Sequence, residues 1–154
     1  MEVNWVRLVH ERLATIATFA YSQIPLAQLR RAKFPGQWPS LETFLHELPK
    51  VEANKALMEL ALYVRTLDDR ENLTDYWKAT DVPSVGVLYL RDGSIEPLSP
   101  REMSNKVIHA ESVEWQFFSD QMIICTAGTN ARENWLRAEI MLVKLIAVGG
   151  QLQS

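Results

Sequence analysis

Trp135-Leu136-Arg137-Ala138-Glu139-Ile140-Met141-Leu142-Val143-Lys144-Leu145-Ile146-Ala147 is the stretch whose reading decides the fold. Its apolar positions Trp135, Ala138, Ile140, Leu142, Val143, Leu145 and Ile146 recur at helix-like spacings. They predict a last helix from about Ala131 to Ala147, with Gly149-Gly150 as its stop. With that helix in place, the whole chain reads as helices carrying small β insertions.

Upstream, Met122–Thr126 and Val113–Phe118 read as strands joined at Ser119-Asp120, and Cys125 lies in the buried-looking run Met122-Ile123-Ile124-Cys125. Ser99-Pro100-Arg101-Glu102 is a capping box with proline at the first helical position. The helix it opens carries Met103, Val107 and Ile108 inward and ends near Glu111. Before it, Val85–Leu90 is rich in β-formers and leads into the turn Arg91-Asp92-Gly93. Ser94–Leu98 returns as a strand that Pro97 confines to an edge.

The N-terminal half is helical. Val3, Val6, Val9, Leu13, Ile16, Ala17 and Ala20 form one amphipathic stripe. Ser22 to Pro39, with Pro25, Pro35 and Gly36, reads as an irregular connection holding a short turn around Leu26–Lys33. Ser40 opens a helix through Leu48, which Pro49 either ends or passes to the next. Val51, Leu57, Met58, Leu60, Ala61, Val64 and Leu67 make a long core helix stopping at Asp68–Glu71, a solvated terminus. The expected fold is therefore mainly α: an up-and-down bundle of four to five helices with one or two small β-hairpin insertions. It occupies residues 1–154 as a single domain, with insertions around 85–98 and 113–127.

Composition narrows function without naming it. The 154 residues carry a formal net charge of −3, so no global field attracts phosphate, and any nucleic-acid contact must be local. One cysteine excludes an intramolecular disulfide framework. His10, His46 and His109 lie far apart and form no metal-ligand spacing, so neither a metal nor another cofactor is expected. The charged N-terminus is not a signal peptide, and Ile140 to Val148, broken by Lys144, is too short to span a bilayer. A cytoplasmic protein with no membrane partner is the expectation.

Two stretches could carry chemistry. Arg101, Asn105 and His109 recur at i, i+4 and i+8, so a guanidinium, an amide and an imidazole share one helical stripe. Arginine stabilises anionic oxygens and histidine exchanges protons near neutral pH, which suits a phosphate ester. The bland alternative is that Asn105 and His109 serve the helix end. Arg30, Arg31 and Lys33, with Phe34 and Trp38, form the basic-aromatic cluster of the chain. Such a cluster can meet phosphate and stack a base, or be a solvated connector whose aromatics seal the bundle.

Ser104-Asn105-Lys106-Val107-Ile108-His109 resembles the signature of the HEPN superfamily, an arginine, often with asparagine next, and a histidine four to six residues beyond the arginine. Glu59–Leu67 is similar to an earlier helix of that bundle. The resemblance implies an RNA-associated protein of the bacterial defence or toxin–antitoxin kind, a homodimer, with RNA, a nucleotide or a protein as partner. An active member would be a metal-independent endoribonuclease, with His109 as general acid/base beside Asn105 and with Arg65 or Arg101 holding phosphate. Ser104 stands where the family has its arginine, and Arg101 precedes His109 by eight residues, about 12 Å along a helix. Arg101 of one copy meeting His109 of another would restore the pair. The plainer implication is a non-catalytic interaction or RNA/nucleotide-associated module.

Overall fold

The structure, a computed structural model, describes residues 1–80, 84–128 and 132–153. Its elements are α1 (Trp5–Lys33), α2 (Pro39–Glu42), a π-helical turn (Thr43–Glu47), α3 (Leu48–Glu71), α4 (Leu73–Lys78), β1 (Gly86–Leu90), β2 (Ile95–Leu98), α5 (Pro100–Ile108), β3 (Ser112–Phe117), β4 (Met122–Ala127), β5 (Trp135–Met141) and α6 (Leu142–Gln151). The strands form one five-stranded sheet in the order β2-β1-β5-β4-β3. Every neighbouring pair is antiparallel.

This overturns the helical bundle with hairpin insertions. The segment read as the body of the last helix is β5, and it stands at the centre of the sheet between β1 and β4. The two expected hairpins are therefore halves of one sheet. The reason lies in the residues. Ala138 and Ile140 alternate inward, and Leu142 continues that inward series into α6. The register with β1 jumps from Tyr89↔Arg137 to Leu90↔Trp135, which leaves Leu136 as a bulge. The bulge turns Trp135 to the same side as Ala138, so Trp135, Ala138, Leu142 and Leu145 fall three or four apart, with Ile140 between them. They mimic a helical stripe. Main-chain pairing on both edges then overrides the local pattern.

The sheet has a wet face and a dry one. Gly86, Ile140, Ile124 and Trp115 make one cross-strand row on the dry face, and Leu88, Ala138, Thr126 and Val113 make the next. Their side chains join the core beneath α1, α3, α5 and α6. The opposite face carries Tyr89, Arg137, Glu139 and Cys125. The Arg137 guanidinium sits 4.1 Å from the Tyr89 ring centroid and 3.3 Å from Glu139. The molecule is thus two layers, helices over one antiparallel sheet.

Cys125, in a run that reads as buried, is half-buried on this wet face. Burial, then Glu139 and Glu114, push its pKa above the usual thiol value, with Arg137 opposing. The thiolate should therefore form at higher pH than in the unfolded chain. Iodoacetamide should alkylate the native protein several-fold more slowly than the urea-unfolded chain at pH 8.5. That difference should shrink as pH rises through the native pKa, and equal rates at pH 8.5 would contradict the arrangement.

The two long helices are antiparallel: Trp5 stacks near Tyr63, Arg12 bonds Glu59 at 2.9 Å, and Gln23 reaches Leu45. Three boundaries differ from expectation. First, α1 continues through Pro25 to Lys33, replacing the irregular connection. The carbonyl that Pro25 cannot serve belongs to exposed Tyr21, where water can bond it, and Arg30, Arg31 and Lys33 favour the helix C-terminus. Second, α6 passes through Gly149 and Gly150. A Cβ on Gly149 would stand 2.1 Å from Leu13 Cδ1, so that glycine serves the close approach of α1 and α6. Third, Asp68 is buried, with its carboxylate on Thr74 and Arg101.

Candidate functional site: a cleft at the π-helical turn

The best-formed cavity, about 350 Å³, opens between the C-terminal part of α1 and the π-helical turn. Pro49 accounts for that turn. In a regular helix its ring would collide with the carbonyl of Leu45, four residues earlier, and it brings no N–H for that oxygen. The backbone instead opens by one residue per turn, with the Leu48 N–H donating to the Thr43 carbonyl. The freed Leu45 carbonyl accepts from Gln23 Nε2 at 3.5 Å.

Gln23 lies on the same α1 stripe as Val9, Leu13, Ile16 and Ala20, and it is 7% exposed. With its amide nitrogen committed to Leu45, its Oε1 faces His46 Nδ1 at 2.5 Å. Nδ1 faces that oxygen as the donor, and Nε2 is the ring nitrogen left for another partner. The imidazole is held further between Phe19 and Phe117, with ring centroids 6.1 and 6.3 Å away. Ile24, Leu26 and Leu45 add apolar lining, and Arg30 and Arg31 complete the cationic side. Arg30 is ion-paired with Glu42. Arg31 is exposed and also borders a second cavity of about 300 Å³ lined by Phe34, Pro35 and Gly36.

The cleft can hold an anion at the arginines while His46 Nε2 shares a hydrogen bond with a hydroxyl group. Among the described residues, Glu42, His46 and Glu47 place one ligand atom each within 4.8 Å of the others, the spacing a metal ion requires. The earlier view that His46 had no metal-ligand neighbours overlooked these two glutamates. A cation would have to displace Arg30 from Glu42, and the two guanidinium groups oppose it.

The sequence-marked residues separate. Arg30 and Arg31 meet at the cleft, while Lys33 lies exposed at the end of α1. Phe34 and Trp38 pack on each other, their centroids 5.4 Å apart. Arg101 bonds Asp69 at 2.5 Å and Asp68 at 3.1 Å. The Asp69 bond, followed by Asp68, raises its pKa further, against burial. Asp68 is twenty residues along α3 from the π-turn end, about 30 Å away, so Arg101 and the cleft arginines do not share a site. Asn105 is half-buried on α5, and exposed His109 ends that helix by donating its N–H to the Asn105 carbonyl at 3.1 Å. Arg65 is half-buried on α3. Sequence reading missed Gln23 and His46. A lone amide on an otherwise apolar stripe was the available signal for the first. The π-turn that recruits the second depends on tertiary packing.

Comparison with family models, with curated proteins and with solved structures finds no match to this chain. No helix among the described residues is long and apolar enough to cross a membrane.

Proposed function

We propose that this protein is a non-catalytic binding module for a phosphorylated small molecule of nucleotide size. The observation that carries the reading is the pairing of buried Gln23 with half-buried His46, which orients the imidazole in a cavity bordered by two arginines. Phosphate would be met by Arg31 and by Arg30 released from Glu42. The sugar or base would lie on Leu26, Leu45 and Phe117, with a ligand hydroxyl hydrogen-bonded to His46 Nε2. A volume of about 350 Å³ suits one nucleotide rather than a polynucleotide strand. The net charge of −3 argues the same way. The catalytic alternative at His109 gains no comparable support, because Arg101, one of the two arginines assigned to phosphate there, is spent on two aspartates.

Calorimetric titration with the four nucleoside monophosphates tests this. At least one should bind saturably below about 1 mM, the affinity weakening with salt. Arg31→Glu and His46→Ala should each weaken binding about tenfold or more, as expected for loss of a charge-assisted contact or an oriented acceptor. Absence of binding, or equal binding by both variants, would overturn the reading. So would an oligoribonucleotide that binds far more tightly than any monomer. Cleavage of RNA lost in His109→Ala would favour the endoribonuclease instead.

A further inference from the structure

The face of α3 turned away from the core carries a second message, independent of the cleft. Leu48, Val51, Lys55, Met58 and Leu62, preceded by Phe44 on the π-helical turn, recur at alternating spacings of four and three residues, the seam of a coiled coil. Helices facing a globular core alone leave the opposite side polar. Here Val51 is 60% exposed, Leu48 57% and Phe44 52%, and Leu62 and Met58 follow at 46% and 39%. The buried residues of the same helix, Ala53, Ala56, Leu57, Leu60 and Ala61, already fill the core side. The outward stripe therefore adds nothing to the fold of one chain.

We infer that this stripe is a homodimer interface in which α3 of one copy packs antiparallel on α3 of a second. The pattern matches itself when reversed. With the two-fold axis at the level of Ala53, Phe44 faces Leu62 of the second copy, Leu48 faces Met58, and Val51 faces the stem of Lys55. Each layer sets one heptad position against its complement, as antiparallel pairing requires. Lys55 is the single charge in the stripe, and the pairing brings its amine beside exposed Glu52 of the second copy. Two lysines and two glutamates then form a neutral cluster at the axis, which specifies register. The seam runs about 27 Å, and its ten apolar side chains offer roughly 1,000 Å² of surface, enough with flanking contacts for a specific dimer. An unrelated partner would have no need of this charge symmetry, so a second copy is the occupant that the residues specify.

Sedimentation velocity of the full chain from about 1 to 100 μM tests the proposal. Wild type should run as a dimer at the upper concentrations. Val51→Glu should be monomeric with an unchanged far-UV circular dichroism spectrum. Val143→Glu, at an equally exposed position on α6, should remain dimeric. Lys55→Glu and Glu52→Lys should each raise the dimer dissociation constant about tenfold, and the double variant should recover most of that loss. These charge changes lie at exposed positions, so they report on pairing even if Val51→Glu folds poorly. A wild type that stays monomeric at 100 μM would overturn the interface. So would dimerisation that Val51→Glu leaves intact, or a double variant no better than the singles. Nucleotide binding is read separately, so either proposal can fail alone.

Discussion

Gly86→Ala is expected to cost about 3 kcal/mol of folding free energy, the upper end for an overpacked site, enough to send much of the protein to the insoluble fraction. A Cβ at that position would stand 1.8 Å from the carbonyl oxygen of Glu139 and 3.1 Å from the Ile140 Cα. Both atoms belong to the main chain of β5, so no side-chain rotation relieves the contact. The strands must separate, and β1 and β5 lose their pairing along Gly86↔Ile140 and its neighbours. Gly150→Ala is the matched control: nothing lies within 4 Å of its added carbon, and it sits in α6. There alanine should be neutral or stabilising by up to about 1 kcal/mol. Urea midpoints of the two variants against wild type measure the difference. A Gly86→Ala midpoint close to wild type would be incompatible with β5 beside β1.

The second large effect falls on Asp68. Its carboxylate accepts from the Thr74 main-chain N–H at 2.7 Å, from the Thr74 hydroxyl at 2.9 Å and from Arg101 at 3.1 Å. One side chain thereby ties the end of α3 to the start of α4 and to the first turn of α5. Asp68→Ala should destabilise by about 3 kcal/mol, since it leaves the Thr74 donors unpaired and a partly buried guanidinium with Asp69 alone. Asp68→Asn keeps an acceptor for Thr74 and should cost roughly half as much. Asp69→Ala, whose carboxylate is exposed, should cost under about 1 kcal/mol. If Asp68→Ala and Asp69→Ala melt alike, Asp68 is not the anchor. A reading of Asp68 to Glu71 as a solvated charge run misses this, because burial of one member of such a run is decided by what folds back upon it.

Local chemistry was legible where it acts within a few residues. Ser99 caps α5 as its capping box foretold, accepting the Glu102 N–H at 3.1 Å. The strand pairs β1–β2 and β3–β4 follow their turn residues. The central strand was not legible, because its bulge at Leu136 disguised a period of two as a helical stripe, and its partners are distant in sequence. The same division runs through the cleft. Arg30 and Arg31 were visible as a charge cluster. The path from Pro49 to a freed carbonyl, from that carbonyl to Gln23, and from Gln23 to His46 joins helices that approach only in the folded chain.

The placement of β5 also sets a timetable. It is the last strand to leave the ribosome, yet it is the one that joins the two hairpins. α1 and α3 can pair while later residues are still being made, since their contacts span a short connection. β1–β2 and β3–β4 remain separate ribbons, each with an unpaired edge, until β5 docks between them. A folding chain in which β5 has not yet docked therefore carries two sticky margins. Aggregation during folding should be governed by how fast β5 docks between the two hairpins.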